Sequence, residues 1–192
     1  MTPHSLAFYV DVVMSGTVLG AKPTDSPAQV AAILGDDFTE ASVYANSMWH
    51  DYGLVEFFWE RESSDHPWVG HHFTVQVHRL VHGDRGVVNK AIRDRYGRFD
   101  RHLRFDKLQR LLSNRDVCLE DVPDANAPDY TLHWQPASQV SVMAFRIREF
   151  WGERGRCQRG DNRHVGDVNS ISSSMTAGQV AWYRTRYGQQ EA

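Results

Sequence analysis

The sequence predicts an α+β fold, with an antiparallel sheet of hairpins and meanders and a few short helices packed on one face. Three observations point there. A helix with a complete start signal occupies residues 26–34. Two strand-like runs joined by a polar turn fill residues 52–80. A helix followed by β segments recurs over 104–147. Helices and hairpins mixed in this way, without regular βαβ alternation, suit an antiparallel sheet with helices on its face.

Taken in order, Leu6 to Met14 is rich in β-branched and aromatic residues and reads as a strand. Gly16 and Gly20 punctuate a loop. At Ser26-Pro27-Ala28-Gln29, serine as N-cap places proline at the first helical position and glutamine at the third, which is a capping box. Val30, Ile33 and Leu34 then share a helical face, and Gly35 supplies the stop. Tyr52 to Glu60 is a strand, residues 61–67 are a turn, and Trp68 to Leu80 is the returning strand, in which Phe73, Val75 and Val77 alternate with polar neighbours. A short helix at 88–98 and another at 104–113 follow, the second with Phe105, Leu108, Leu111 and Leu112 on one face. Val117–Val122 and Val140–Ile147 read as strands, 152–170 as a long mobile loop, and 175–187 as a terminal helix with Val180, Trp182 and Tyr183 on its apolar face. Residues 1–192 are expected to form one domain, with two helix-plus-meander halves at 1–85 and 86–192.

Composition bounds the function. The chain is 41% hydrophobic and 23% charged, which supports a packed core, and a net charge of -3 gives no general affinity for polyanions. The N-terminus lacks a basic segment ahead of a long apolar run, so no signal peptide or membrane span is expected. Cys118 and Cys157 fit no metal or redox spacing, and Cys118 is expected to be a buried thiol. A cytoplasmic protein follows from these features. Nothing in the sequence sets its oligomeric state.

Chemistry-bearing residues are scattered. His66, His71, His72, His78 and His82 crowd one hairpin without a His-x-His pair or a His-Glu-x-x-His helix, so no metal ligand is assigned and no cofactor is expected. Strand parity places His72 and His78 on one face and His71 on the other. Glu56 with His72 or His78 is the candidate pair for a small hydrolase-like enzyme, should they converge. No catalytic residue is otherwise assigned. The basic stretch 90–110, with Tyr96, Phe99 and Phe105 between its arginines, is the candidate for nucleic-acid binding, a class disfavoured by the net charge.

Aromatic residues are the stronger signal. Adjacent Phe57 and Phe58 must point to opposite faces of a strand, so one of them leaves the core unless both faces are covered. Trp49, Trp59 and Trp68, rimmed by Glu60, Glu62 and Asp65, are the candidate partner-binding residues, in the pattern of aromatic anchors within a charged rim.

Val18-Leu19-Gly20, Ser26-Pro27, Val30 and Leu34-Gly35, followed by Asp51-Tyr52-Gly53-Leu54-Val55-Glu56-Phe57, resemble a module of bacterial immunity proteins. In that module a capped helix ending in Leu-Gly precedes a Tyr-Gly-x-x-Glu-Phe strand. Trp134-Gln135-Pro136-Ala137-Ser138 with Val140-Ser141-Val142 resembles actinobacterial proteins that carry the same front module. The resemblance covers residues 18–80 and implies a non-catalytic α+β protein that binds and blocks a toxin of its own cell. It supplies no functional residue.

Overall fold

The computed structural model describes residues 4–82, 86–124, 129–146 and 164–188. The fold is α+β. Among the described residues, eight strands form one antiparallel sheet accompanied by five helices.

The first helix, α1 (His4–Ser15), replaces the strand expected at residues 6–14. Leu6, Phe8, Tyr9, Val10, Val12 and Val13 are all buried, so the helix is enclosed on nearly every side. Such a helix carries no polar stripe to reveal its period, and tertiary burial overrides the β propensity of its valines. α2 (Pro27–Leu34) begins with the expected capping box, Ser26 with Gln29, and stops at Gly35, whose φ is +91°.

The sheet is two meanders joined at a seam. β1 (Thr39–Ala41), β2 (Ser47–Asp51), β3 (Val55–Glu60) and β4 (Val69–Val75) run in sequence order. β5 (Glu120–Val122), β6 (Tyr130–Gln135), β7 (Val140–Phe145) and β8 (Val168–Ser172) do the same, and β4 pairs with β8. Between the meanders lie a 3₁₀ helix (Val77–His82), α3 (Lys90–Tyr96) and α4 (Phe105–Ser113). The returning strand of the first hairpin thus ends at Val75, short of Leu80, and His78 lies on the 3₁₀ helix. Gly53 lets this region close: its φ is +84°, and a Cβ there would lie 2.3 Å from the Val87 carbonyl oxygen.

One face of the sheet carries the main core. Phe57 and Trp59 of β3, Phe73 of β4, Ile171 of β8 and Val142 of β7 join buried residues of α1, α2, α3 and α4 there. The Tyr96 hydroxyl on α3 donates to Asp11 of α1 over 2.7 Å, which ties those two helices together.

The last helix, α5 (Ala177–Tyr187), is capped by Thr176 with Gln179 and lies on the other face. Its Val180 and Tyr183 pack with Val122, Leu132 and Trp134 in a second apolar cluster, and the Trp134 indole donates to the Met175 carbonyl over 2.8 Å. Trp182, expected on the buried side of α5, is 55% exposed.

The 152–170 loop needs partial correction. Residues 152–163 lie outside the described residues, but 164–167 form a turn and 168–170 belong to β8, a strand between β4 and β7. Its residues read as a loop because only Val168 and Ile171 point into the core, while Asn169, Ser170 and Ser172 are partly exposed. Cys118 is exposed rather than buried.

Candidate functional site

Residues directly opposite one another in an antiparallel pair share a face. Trp49 of β2 stands opposite Phe58 of β3, and Phe58 stands opposite His72 of β4. Their rings form a ladder over three strands, on the face opposite the main core. The Trp49 and Phe58 rings stack at 6.2 Å, and those of Phe58 and His72 at 4.1 Å. All three are half-buried.

A β-bulge after Phe58 extends this ladder. The register skips His71 between His72 and Gly70. Bulged residues escape strict alternation, so His71 joins His72 instead of facing away from it, and their Nδ1 atoms lie 2.6 Å apart. One ring donates and the other accepts. Burial, reinforced by the charge of His71, lowers the His72 pKa to about 4.

Around the ladder the face changes character. On one side stand Ser47, Glu60 and Val69, mutual register partners, with Val69 61% exposed. The β1–β2 turn nearby leaves Tyr44 75% exposed, and Ser42 Oγ lies 2.6 Å from both the Tyr44 and Ser47 carbonyl oxygens, with its one proton to share between them. On the other side runs a polar row, Asp51, Glu56, Thr74, Ser172 and Ser141. The hydroxyls of Thr74 and Ser172 meet at 3.2 Å across the seam.

Within that row, Glu56 is buried because Arg79 of the 3₁₀ helix reaches over it. The guanidinium bonds Asp51 at 2.9 and 3.0 Å and the Gly53 carbonyl at 2.6 Å, and it also donates to Glu56. Gln76 donates to the other Glu56 oxygen. Both oxygens of Glu56 are thus engaged in a structural network.

The expected partner-binding residues divide. Trp49 is on the open face, and Glu60, Glu62 and Asp65 are exposed. Trp59 is a correction. It is 1% exposed, and its indole N–H donates to the Asp25 carbonyl over 2.8 Å on the core side. Phe58, one position earlier, occupies the face instead. Trp68 is half-buried, packs against the main core and carries the Arg61 guanidinium 4.2 Å above its ring. Sequence parity signalled that Phe57 and Phe58 divide between the faces. Parity also puts Trp59 on the face of Phe57, but calling that face the buried one required knowing which of the two held the core.

The groups of the alternative constellations have other partners. Glu56 is held by Arg79 and Gln76, His72 lies on Phe58, and His78 Nδ1 is 3.3 Å from the Asn169 carbonyl oxygen. In the basic stretch, Tyr96 is buried, Phe99 makes edge contacts with Phe8 and Tyr9, and Phe105 stacks on His133 at 4.0 Å. Tyr96 is thus enclosed, and the half-buried rings of Phe99 and Phe105 are already in contact with other rings of the fold.

Among the described residues, one cluster has the composition to hold a metal ion: His102, His164 and Asp167. No described helix is long and apolar enough to cross a membrane. No family model, curated protein or solved structure matches the chain.

Proposed function

We propose that this protein is a non-catalytic binding module that engages a protein partner through the open face of β2, β3 and β4. The immunity-type reading, in which that partner is a toxin of the same cell, follows from the resemblance of residues 18–80. The observation that carries the binding reading is the ladder of Trp49, Phe58 and His72, which keeps large rings at a sheet surface.

The physical case rests on preorganisation. Stacked rings on paired strands lose little side-chain freedom on binding, and half-exposed aromatics supply much contact area each. Val69 and Tyr44 enlarge the apolar area, while Glu60, Glu62 and Asp65 add a negative rim. An apolar centre within a charged rim is the anatomy of a protein interface, and the rim favours a basic partner.

The test is a paired capture from the native host, using the wild-type chain and a Trp49→Ala/Phe58→Ala variant. The expected result is one stoichiometric protein that binds the wild type and not the variant, and whose toxicity is relieved by co-expression. A partner that binds both forms equally would place the interface elsewhere. A partner that is harmless when expressed alone would remove the immunity reading and leave the binding reading standing.

A further inference from the structure

We infer that His102, His164 and Asp167 form a binding site for a divalent transition metal ion of the zinc class. The site is independent of the aromatic face.

The three donors converge on a small volume. His102 Nδ1 lies 2.9 Å from Asp167 Oδ2, and His164 Nδ1 lies 3.4 Å from the same oxygen. One ligand atom from each residue falls within 4.8 Å of the others. Ligands about 2.0–2.2 Å from a tetrahedral zinc ion stand roughly 3.3 Å apart, so little movement is needed to seat an ion between them.

The backbone holds this arrangement in place. The Phe105 N–H donates to the Gly166 carbonyl and the Val168 N–H to the Leu103 carbonyl, each over 2.8 Å. These bonds staple the segment carrying His102 to the turn carrying His164 and Asp167. Gly166 makes that turn possible with a φ of +81°, and a Cβ there would press on the Arg104 guanidinium at 3.0 Å. Asp167 itself is 4% exposed.

The surroundings select the kind of ion. Arg104 contacts Asp167 Oδ1 at 3.4 Å and donates to the Val165 carbonyl at 2.7 Å, while Oδ2 faces both imidazoles and accepts from the His164 backbone N–H at 3.0 Å. An orienting contact on the non-ligating oxygen is a common second layer around metal sites. The guanidinium also offsets the carboxylate charge, so the site has no surplus of anionic oxygen. Calcium and magnesium require several oxygen donors, whereas two imidazoles and one carboxylate suit zinc, cobalt or nickel. His164 is half-exposed, which leaves a fourth position open to water.

The test uses the full chain, freed of any affinity tag and treated with chelator. Zinc binding is followed by titration calorimetry and the geometry by the absorption of the cobalt complex. The expected result is one ion per chain, with a tetrahedral cobalt spectrum and a metal-dependent rise in melting temperature. His102→Ala and His164→Ala should each weaken binding by more than about tenfold, while His71→Ala/His72→Ala should not. Both ring truncations spare the buried Asp167, and matching metal-free melting curves would establish that the variants fold. Absence of binding to the wild-type chain would overturn the inference, as would binding unchanged in both truncations.

Discussion

The imidazole of His72 lies flat on the ring of Phe58, with centroids 4.1 Å apart and planes inclined by 8°. This contact joins β3 to β4 on the open face and contributes to the burial that lowers the pKa of the histidine. A ring pressed against a hydrocarbon face, with a second imidazole at its Nδ1, resists taking up a proton.

Stability should therefore fall with acid in a way that depends on His72. Its pKa drops from 6.5 in the unfolded chain to about 4 in the native state. As pH falls through 6.5, the unfolded chain binds a proton that the native ring refuses, and the loss accrues until about pH 4. The full shift corresponds to about 3 kcal/mol, and the exposed part of the ring reduces this to about 1–2 kcal/mol. His72→Phe keeps a ring on Phe58 and removes the titration. Urea midpoints measured across this window should decline less for the variant than for the wild type, and equal declines would contradict the assignment.

Trp59 and Trp49 should separate folding from binding. Trp59→Ala empties a fully enclosed site and breaks the bond to Asp25, at an expected cost of about 3–5 kcal/mol. Trp49→Ala, on the open face, should cost about 1 kcal/mol while weakening partner binding. Denaturation curves read the first effect and a binding titration the second. The opposite ranking in stability would contradict the assignment of the two faces.

Arg79→Met should destabilise the fold by about 2–4 kcal/mol at neutral pH. It leaves Asp51 and the buried Glu56 without their shared cation while preserving much of the stem volume. Equilibrium unfolding at neutral pH would check this.

Two tyrosines should respond in opposite ways to losing their hydroxyls. Tyr9 is buried and its hydroxyl has no hydrogen-bond partner among the described residues, so Tyr9→Phe should be neutral or stabilising by up to about 1 kcal/mol. The Tyr96 hydroxyl donates to Asp11, so Tyr96→Phe should cost about 1–2 kcal/mol. Thermal melts of the two variants measured side by side would decide this.

Much of the fold was legible wherever local chemistry was self-sufficient. The box of Ser26 and Gln29 marked α2, Gly97 follows the end of α3, and the leucines at 108 and 112 gave the buried stripe of α4. The hairpin of β3 and β4 followed from alternation around a polar turn. β1, β2 and β6 were not expected as strands, and legibility failed most plainly at the two extremes of burial. α1 is so enclosed that its apolar residues leave no stripe, and β8 is so polar on one face that its two core residues did not suggest a strand.

The candidate surface was half legible for a related reason. Parity separates Phe57 from Phe58 but does not say which of them faces the core. The bulge that brings His71 beside His72 leaves no mark in the residue types.

The sequence by itself determined the α+β class, the capped helices and the first hairpin, because caps, turns and alternation act between residues close along the chain. Tertiary structure alone decided which sheet face stays open, that β8 closes the seam between the meanders, and that His102 meets His164 and Asp167. Those outcomes depend on pairings between distant segments. Their free energy comes from burying shared area and satisfying backbone bonds across the sheet, which no local run of residues encodes.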